Sequence, residues 1–224
     1  MHSIREATSR RRFVQSAVRL GVGICSSRFA ARGRDEVDAF DSLPKSVWAN
    51  ARRNGLIMIH RTAPALLSRH TQIVRAGEPG QPLIVEGQVF APDGQTPLEG
   101  ATVYAYNTDS EGYYGSGHKE YPPRLYGWMK TDSGGRFELH TIHPGHYPGM
   151  RVPAHVHFTV WFRDYPPQWV EELRFEGDPF ITADMLAEAA EQGEFNSIRP
   201  LTHTEDGVLH CRYKIRVQAG TNFR

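Results

Sequence analysis

From residue 83 onward the chain sets short runs of strand-type residues between turn signals, and this punctuation most constrains its fold. "LIVEGQVF" (83–90) gives way to the turn "APDGQTPLEG" and then "ATVYAY" (101–106). "GRFELHTI" (135–142) follows "DSGG", "HVHFTVWF" (155–162) follows a proline–glycine loop, and "VLHCRYKIRV" (208–217) closes the domain. Short, β-branched and aromatic runs at this spacing predict two packed sheets rather than a helical bundle or a parallel α/β fold. The 21 glycines and 15 prolines supply the turns. One helix is expected late, over 182–192 ("TADMLAEAAEQ"), with Thr182 as cap and Gly193 as stop. The expected fold is therefore all-β, an antiparallel β-sandwich over residues 83–224. An arm at 35–82 precedes it and carries a short helix at 41–54, with Asp41 or Ser42 capping and Pro44 in the first turn.

The first 34 residues read as an address. "SRRRFV" (9–14) matches a twin-arginine export signature at Ser9, Arg10, Arg11 and Phe13, and the weakly apolar segment behind it is interrupted by Arg19. Such a segment is too short and too polar for a stable membrane span. The expected location is periplasmic or extracellular; a disordered basic tail on a cytoplasmic protein is the alternative. Charge is nearly balanced, with 26 Lys and Arg against 25 Asp and Glu, which excludes nucleic acid as an expected partner. Cys25 and Cys211 show no metal-type spacing. Cys211 alternates with Leu209, Tyr213, Ile215 and Val217, so it reads as a buried strand thiol.

The chemistry concentrates in "YPGMRVPAHVHF" (147–158). Histidines at i and i+2 project from one face of a strand. On the other face Val156, Phe158, Val160 and Phe162 make an apolar row. His155 and His157 therefore look outward from a strand whose back is anchored in a core. Taken alone, an H-x-H pair is as well read as a packed or rim pair. "VEGQVFAPDGQTPLEGATVYAY" with "TDSGGRFEL" likewise fits a non-catalytic prealbumin-like sandwich module.

Residues 70–180 as a whole resemble the intradiol ring-cleavage dioxygenases, the family of protocatechuate and catechol dioxygenases. The resemblance runs in order through "RHTQIVRAGEPGQPLIVEGQV", "PLEGATVYAYNTDSEGYY", "TDSGGRFELHTIHPGHYP", "PAHVHF" and "FEGDP". It implies one non-haem Fe³⁺ held by two tyrosinates and two histidines: Tyr114 (with Tyr113 the competing choice), Tyr147, His155 and His157. It implies a reaction in which O₂ is inserted between the two hydroxylated carbons of a catecholic aromatic, giving a cis,cis-muconate-type dicarboxylate. Tyr147, axial with His157, would be displaced by the catechol and act as base, while Tyr114 and His155 stay equatorial. Ferric iron suits this set, because the ion offsets the cost of ionising a phenol whose free pKa is near 10.

Two departures stand out. Relatives place Arg three residues before the first histidine, where this chain has Val152; Arg151, one residue earlier, is the candidate for the same catalytic space, a solvent-facing rim arginine being the alternative. Glu172 stands where relatives carry a glutamine, and Trp128 is either a pocket wall or a core residue. The expected partners are a catecholic small molecule and O₂, with assembly into a homo- or hetero-oligomer as in relatives. The rival readings are a binding module that keeps only the scaffold, and a same-fold metalloenzyme with another metal or reaction.

Overall fold

The computed structural model describes residues 59, 62–119, 123–162 and 165–219. The export-like segment at 1–34 and the helix expected at 41–54 lie outside the described residues. The strands are β1 His70–Gln72, β2 Pro82–Phe90, β3 Thr102–Asn107, β4 Leu125–Lys130, β5 Arg136–Ile142, β6 His155–Phe162, β7 Tyr165–Trp169, β8 Leu173–Phe175, β9 Ile198–Arg199, β10 Thr202–His203 and β11 Leu209–Arg216. They form two sheets, ordered β1-β5-β2-β11-β10 and β4-β3-β6-β8-β9, with β7 pairing β6 beyond β8. The expected all-β sandwich is what the chain adopts. Its sheets are mixed rather than wholly antiparallel: β1/β5, β2/β11 and β8/β9 run parallel. The β2/β11 pairing has a topological cause. The chain leaves β2, builds the second sheet and the helix, and returns beside it, and so long a connection permits parallel pairing where a tight hairpin does not.

The core lies between the sheets. Leu83, Val85 and Val89 of β2, Phe137 and Leu139 of β5, and Leu209, Cys211, Tyr213 and Ile215 of β11 meet Val103 and Ala105 of β3, Met129 of β4 and Val156, Phe158 and Val160 of β6. Strand alternation delivers each of these residues to one face. Gly87 is required by packing, since a Cβ there would stand 2.0 Å from the Phe137 ring. Cys211 is buried in this layer, and burial pushes its thiol up to about 12, consistent with an inert core residue.

The late helix, α1 (Ala183–Ala190), starts as expected, with Thr182 Oγ1 accepting from Met185 N. Gly193 opens a single 3₁₀ turn, Gly193–Phe195, just beyond it. Among the described residues no helix is long and apolar enough to cross a membrane. One feature of the second sheet positions the chemistry: all of β3 and nearly all of β6 are buried on both faces. Their core faces meet the first sheet. Their outer faces are covered by loops, and those loops bring in the tyrosines.

Candidate metal centre

His155 and His157 point outward from β6, as their strand period requires, yet are only 6% and 3% exposed. Tyr114 comes from the loop after β3 and Tyr147 from the loop between β5 and β6. The two loops are tied together: Gly145 N donates to Asp109 O at 2.9 Å, and Thr108 Oγ1 donates to Gly145 O at 2.8 Å. Gly112 makes that approach feasible. It sits at φ +89°, and a Cβ on it would lie 1.8 Å from His146 O. The Tyr114 carbonyl accepts from Arg124 N at 2.7 Å, and the Arg124 guanidinium is held by both oxygens of Glu78 at 2.7 Å.

The four polar tips converge. Tyr114 Oη lies 2.7 Å from His157 Nε2, and Tyr147 Oη lies 2.9 Å from His155 Nε2 and 3.4 Å from His157 Nε2. The two phenolic oxygens touch, and the two Nε2 atoms are 3.0 Å apart. Tyr114, not its neighbour Tyr113, is the one brought to the histidines; the Tyr113 ring lies against His118 instead. Arg151 is not brought to the four. Its guanidinium is exposed and sits 5.5 Å over the Phe180 ring.

The proton inventory shows what this cluster lacks. His155 Nδ1 lies 2.7 Å from the Pro153 carbonyl, which only accepts, so Nδ1 carries a proton and Nε2 is the nitrogen turned toward the tyrosines. Burial first, and then His155, holds His157 down to about 3, so His157 is neutral. Glu172 Oε1 stands 3.5 Å from His157 Nδ1, on the side of the ring away from the tyrosines. Burial alone would raise the Glu172 carboxyl, but positive charge beside it, on His155 and His157 whenever they are protonated and on Arg174 always, outweighs burial and holds it below the usual carboxylate range. The neutral His157 therefore turns its Nε2 to the Tyr114 oxygen at 2.7 Å and to the second Nε2 at 3.0 Å. A cation is what such a convergence of donor atoms can hold. Two metal–nitrogen bonds of about 2.1 Å at right angles place nitrogens about 3 Å apart, which is the observed spacing. The donor set fits a hard trivalent ion: two ionisable phenols and two neutral imidazoles. His155, His157 and Glu172 also form a compact three-residue group. Within it, however, Glu172 meets the far nitrogen of His157, where it orients the ring rather than shares a ligand position.

Comparison with known proteins decides the family. The family model described as "Dioxygenase" matches residues 58–219, well over half the chain. The chain belongs to the intradiol ring-cleavage dioxygenase family. It is 29% identical over 159 residues to "Catechol 1,2-dioxygenase 1" of Acinetobacter lwoffii, covering 60% of this chain and 48% of that protein. It is 28% identical over 125 residues to "Protocatechuate 3,4-dioxygenase beta chain" of Burkholderia cepacia, covering 50% and 53%. The chain spans about half the length of these curated relatives. Catechol 1,2-dioxygenase from Pseudomonas arvilla C-1 superposes with a TM-score of 0.57 at 24% identity, over 71% of this chain and 59% of that one. The dioxygenase domain of a carbohydrate-binding fusion from Streptomyces sp. SirexAA-E gives 0.52 at 24% identity, over 67% and 88%. These structural likenesses establish the fold.

Three residues of this intradiol site escaped sequence reasoning. Tyr106 stacks on His157, with centroids 4.4 Å apart and rings 13° from parallel. It is the cross-strand partner of His157 on β3, and the alternation of "ATVYAY" was the signal for it. Trp169 meets the edge of the same histidine. Asp178, in "FEGDP", ties together the two ends of the loop between β5 and β6: its Oδ2 accepts from Ala154 N and contacts His146 Nε2, both at 2.8 Å, and its Oδ1 accepts from Phe180 N at 2.9 Å. Ala154 immediately precedes His155 and His146 immediately precedes Tyr147, so one carboxylate sets the approach of both. Trp128 packs behind the tyrosines: its ring lies 5.1 Å from Tyr104, and its Nε1 donates to Ile59 O at 3.1 Å.

Proposed function

We propose that the chain is an intradiol dioxygenase that holds one non-haem Fe³⁺ through Tyr114, Tyr147, His155 and His157. It would insert O₂ between the two hydroxylated carbons of a catecholic aromatic to give a cis,cis-muconate-type dicarboxylate. The observation that carries this reading is the convergence of two phenolic oxygens and two histidine Nε2 atoms in one buried cluster. When bound, the ion supplies Lewis acidity and a template for the two catechol oxygens.

The chain's own residues divide the remaining work by their burial. Tyr114 is 2% exposed and walled by Tyr106, whereas Tyr147 is half-buried, on a loop whose next three residues are exposed. Tyr147 is therefore the tyrosine free to swing outward and, as a phenolate, take a proton from the incoming catechol. Tyr114 remains in place. His155 is fixed through the Pro153 carbonyl, and His157 by Tyr106 against one ring face and Glu172 at Nδ1, so neither imidazole needs to reorganise during turnover. Trp169 and Tyr106 exclude water from the His157 side. Arg151, exposed over Phe180, acts at the rim, where its charge attracts an anionic catechol. The twin-arginine-like run at 9–14 supports an exported, periplasmic or extracellular setting for this activity, a cytoplasmic one being the alternative.

The test is a visible absorption spectrum of the purified protein, taken anaerobically before and after catechol, followed by product analysis in O₂. A coloured protein whose band moves to longer wavelength on catechol addition is the expected result. A protein that stays colourless after iron reconstitution overturns the ligand assignment, and a product cleaved outside the diol overturns the reaction.

A further inference from the structure

A second group of metal-ligating side chains lies on the opposite outer face of the sandwich. Phe137 and Leu139 of β5 enter the core, so Glu138 and His140 face away from it. Edge strand β1 pairs with β5 in parallel, His70 opposite Glu138 and Gln72 opposite His140. His70, Glu138 and His140 thereby come together. His140 Nε2 is 2.6 Å and His70 Nε2 3.2 Å from the same oxygen, Glu138 Oε1. The two imidazoles meet edge to face, with centroids 4.3 Å apart. One ligand atom from each residue falls within 4.8 Å of the others.

We propose that His70, Glu138 and His140 form a second metal site, taking a late first-row divalent cation of the Zn²⁺ class and pinning edge strand β1 to the sheet. Two imidazoles and one carboxylate are the ligand types such cations prefer, and three protein ligands leave a fourth position for water. Bonds of about 2.0–2.2 Å in tetrahedral or right-angled geometry separate ligand atoms by about 3.0–3.5 Å. The His70–Glu138 distance already lies in that range, and the His140–Glu138 distance reaches it by opening less than 1 Å. The carboxylate is ready as an anion: His140 first, with His70 and Arg69 adding to it, holds Glu138 below the usual carboxylate range. Access is open, since the three side chains are 47%, 28% and 30% exposed.

The placement gives the ion a task. Strand β1 is three residues long and sits on a sheet edge, where backbone pairing on one side is all the sheet offers it. Its other contacts reach the second sheet: Thr71 Oγ1 donates to Trp128 O at 3.0 Å, and Lys130 N donates to Ser68 O at 2.9 Å. A cation joining His70 to β5 fixes the strand that bridges the two sheets. It therefore fixes β4 and Trp128, behind the tyrosine cluster.

The experiment is isothermal titration of the full chain with Zn²⁺, together with thermal unfolding, for the wild type and for His140→Ala, His70→Ala and His155→Ala. The last variant disables the other histidine pair. The expected result is one Zn²⁺ equivalent that survives His155→Ala and weakens at least about 100-fold in His140→Ala and His70→Ala, because even an outer partner of a metal ligand is worth 10–100-fold. The Zn²⁺-dependent rise in melting temperature should disappear in the same two variants. His70 is the most exposed of the three, so its variant keeps the test readable if His140→Ala fails to fold. Absence of saturable binding tighter than about 1 mM in the wild type overturns the proposal. So does Zn²⁺ binding that persists when His140→Ala or His70→Ala is combined with His155→Ala, or that is lost in His155→Ala alone.

Discussion

Asp178 offers the sharpest test of how this site is built. Its carboxylate is 4% exposed and accepts from two backbone N–H groups, Ala154 through Oδ2 and Phe180 through Oδ1, while Oδ2 also contacts His146. Replacing it with alanine strands the Ala154 N–H, on a residue 1% exposed, without its acceptor. An unsatisfied buried donor costs about 1–3 kcal/mol, and hydrogen bonds to an ionised group are each worth about 1.5–3 kcal/mol. His146 is 36% exposed and can turn to solvent, so its bond adds little. Asp178→Ala should therefore lose about 3 kcal/mol. Asp178→Asn keeps one oxygen, which serves Ala154, but sets its NH₂ against the Phe180 N–H and gives up the charge. Its loss should be about half as large. For a domain of this size each kcal/mol is worth about 2–4 °C, so the melting temperature should fall by about 6–12 °C for alanine and half that for asparagine. Urea unfolding at pH 7 is the assay, with the m-value checked to be unchanged. Both variants should also release iron more readily, because Ala154 adjoins His155 and His146 adjoins Tyr147. The reasoning is refuted if both variants stay within about 0.5 kcal/mol of wild type, or if asparagine costs as much as alanine.

Gly112→Ala should destabilise by about 2–5 kcal/mol, combining overpacking against the His146 carbonyl with a positive φ, whereas Gly177→Ala, whose φ is +85° with nothing within 4 Å, should cost only about 1–2 kcal/mol; paired urea titrations compare them. Glu78, held below the usual carboxylate range by the hydrogen-bonded Arg124 guanidinium, contributes stability that is fully present above its unfolded pKa of about 4.3 and is lost as pH falls through its lower folded value. Glu78→Gln should thus cost about 1 kcal/mol at pH 7, and the gap from wild type should close as pH falls below about 4, measured by denaturation at a series of pH values. Tyr147→Phe should leave the fold within about 1 kcal/mol of wild type while weakening iron retention at least about 100-fold and dimming the visible band, read by iron analysis and absorbance after dialysis.

What the sequence made legible and what it hid follow one division. Strands β2, β3, β5, β6 and β11 were legible because each carries six or more alternating residues, enough for the period to stand out. Strands β8, β9 and β10 have two or three residues each, and pairing with their neighbours, rather than any pattern of their own, makes them strands. Strand β4 was concealed by Gly127, which breaks "LYGWMK" where Ile73 and Thr71 of the crossing segment press against it. At the site, the period of two placed His155 and His157 on one outward face, but period alone says nothing about which loop arrives to meet them. Tyr114 and Tyr147 were readable only through the family resemblance. Glu172 at His157 Nδ1, Asp178 against both ends of the β5–β6 loop and His70 beside Glu138 depend on cross-strand register or loop docking, and neither leaves a local trace in the sequence. There is a physical reason for that arrangement. The interior of a two-sheet sandwich is filled by the inward row of every strand, so a polar centre has to sit on an outer face. One strand offers that face only alternate positions, two for the stretch His155–His157, and the remaining ligands must come from loops closed over it. The glycine at 112 and the carboxylate of Asp178 are what let those loops close, which is why the most damaging single changes should include residues that touch neither metal nor substrate.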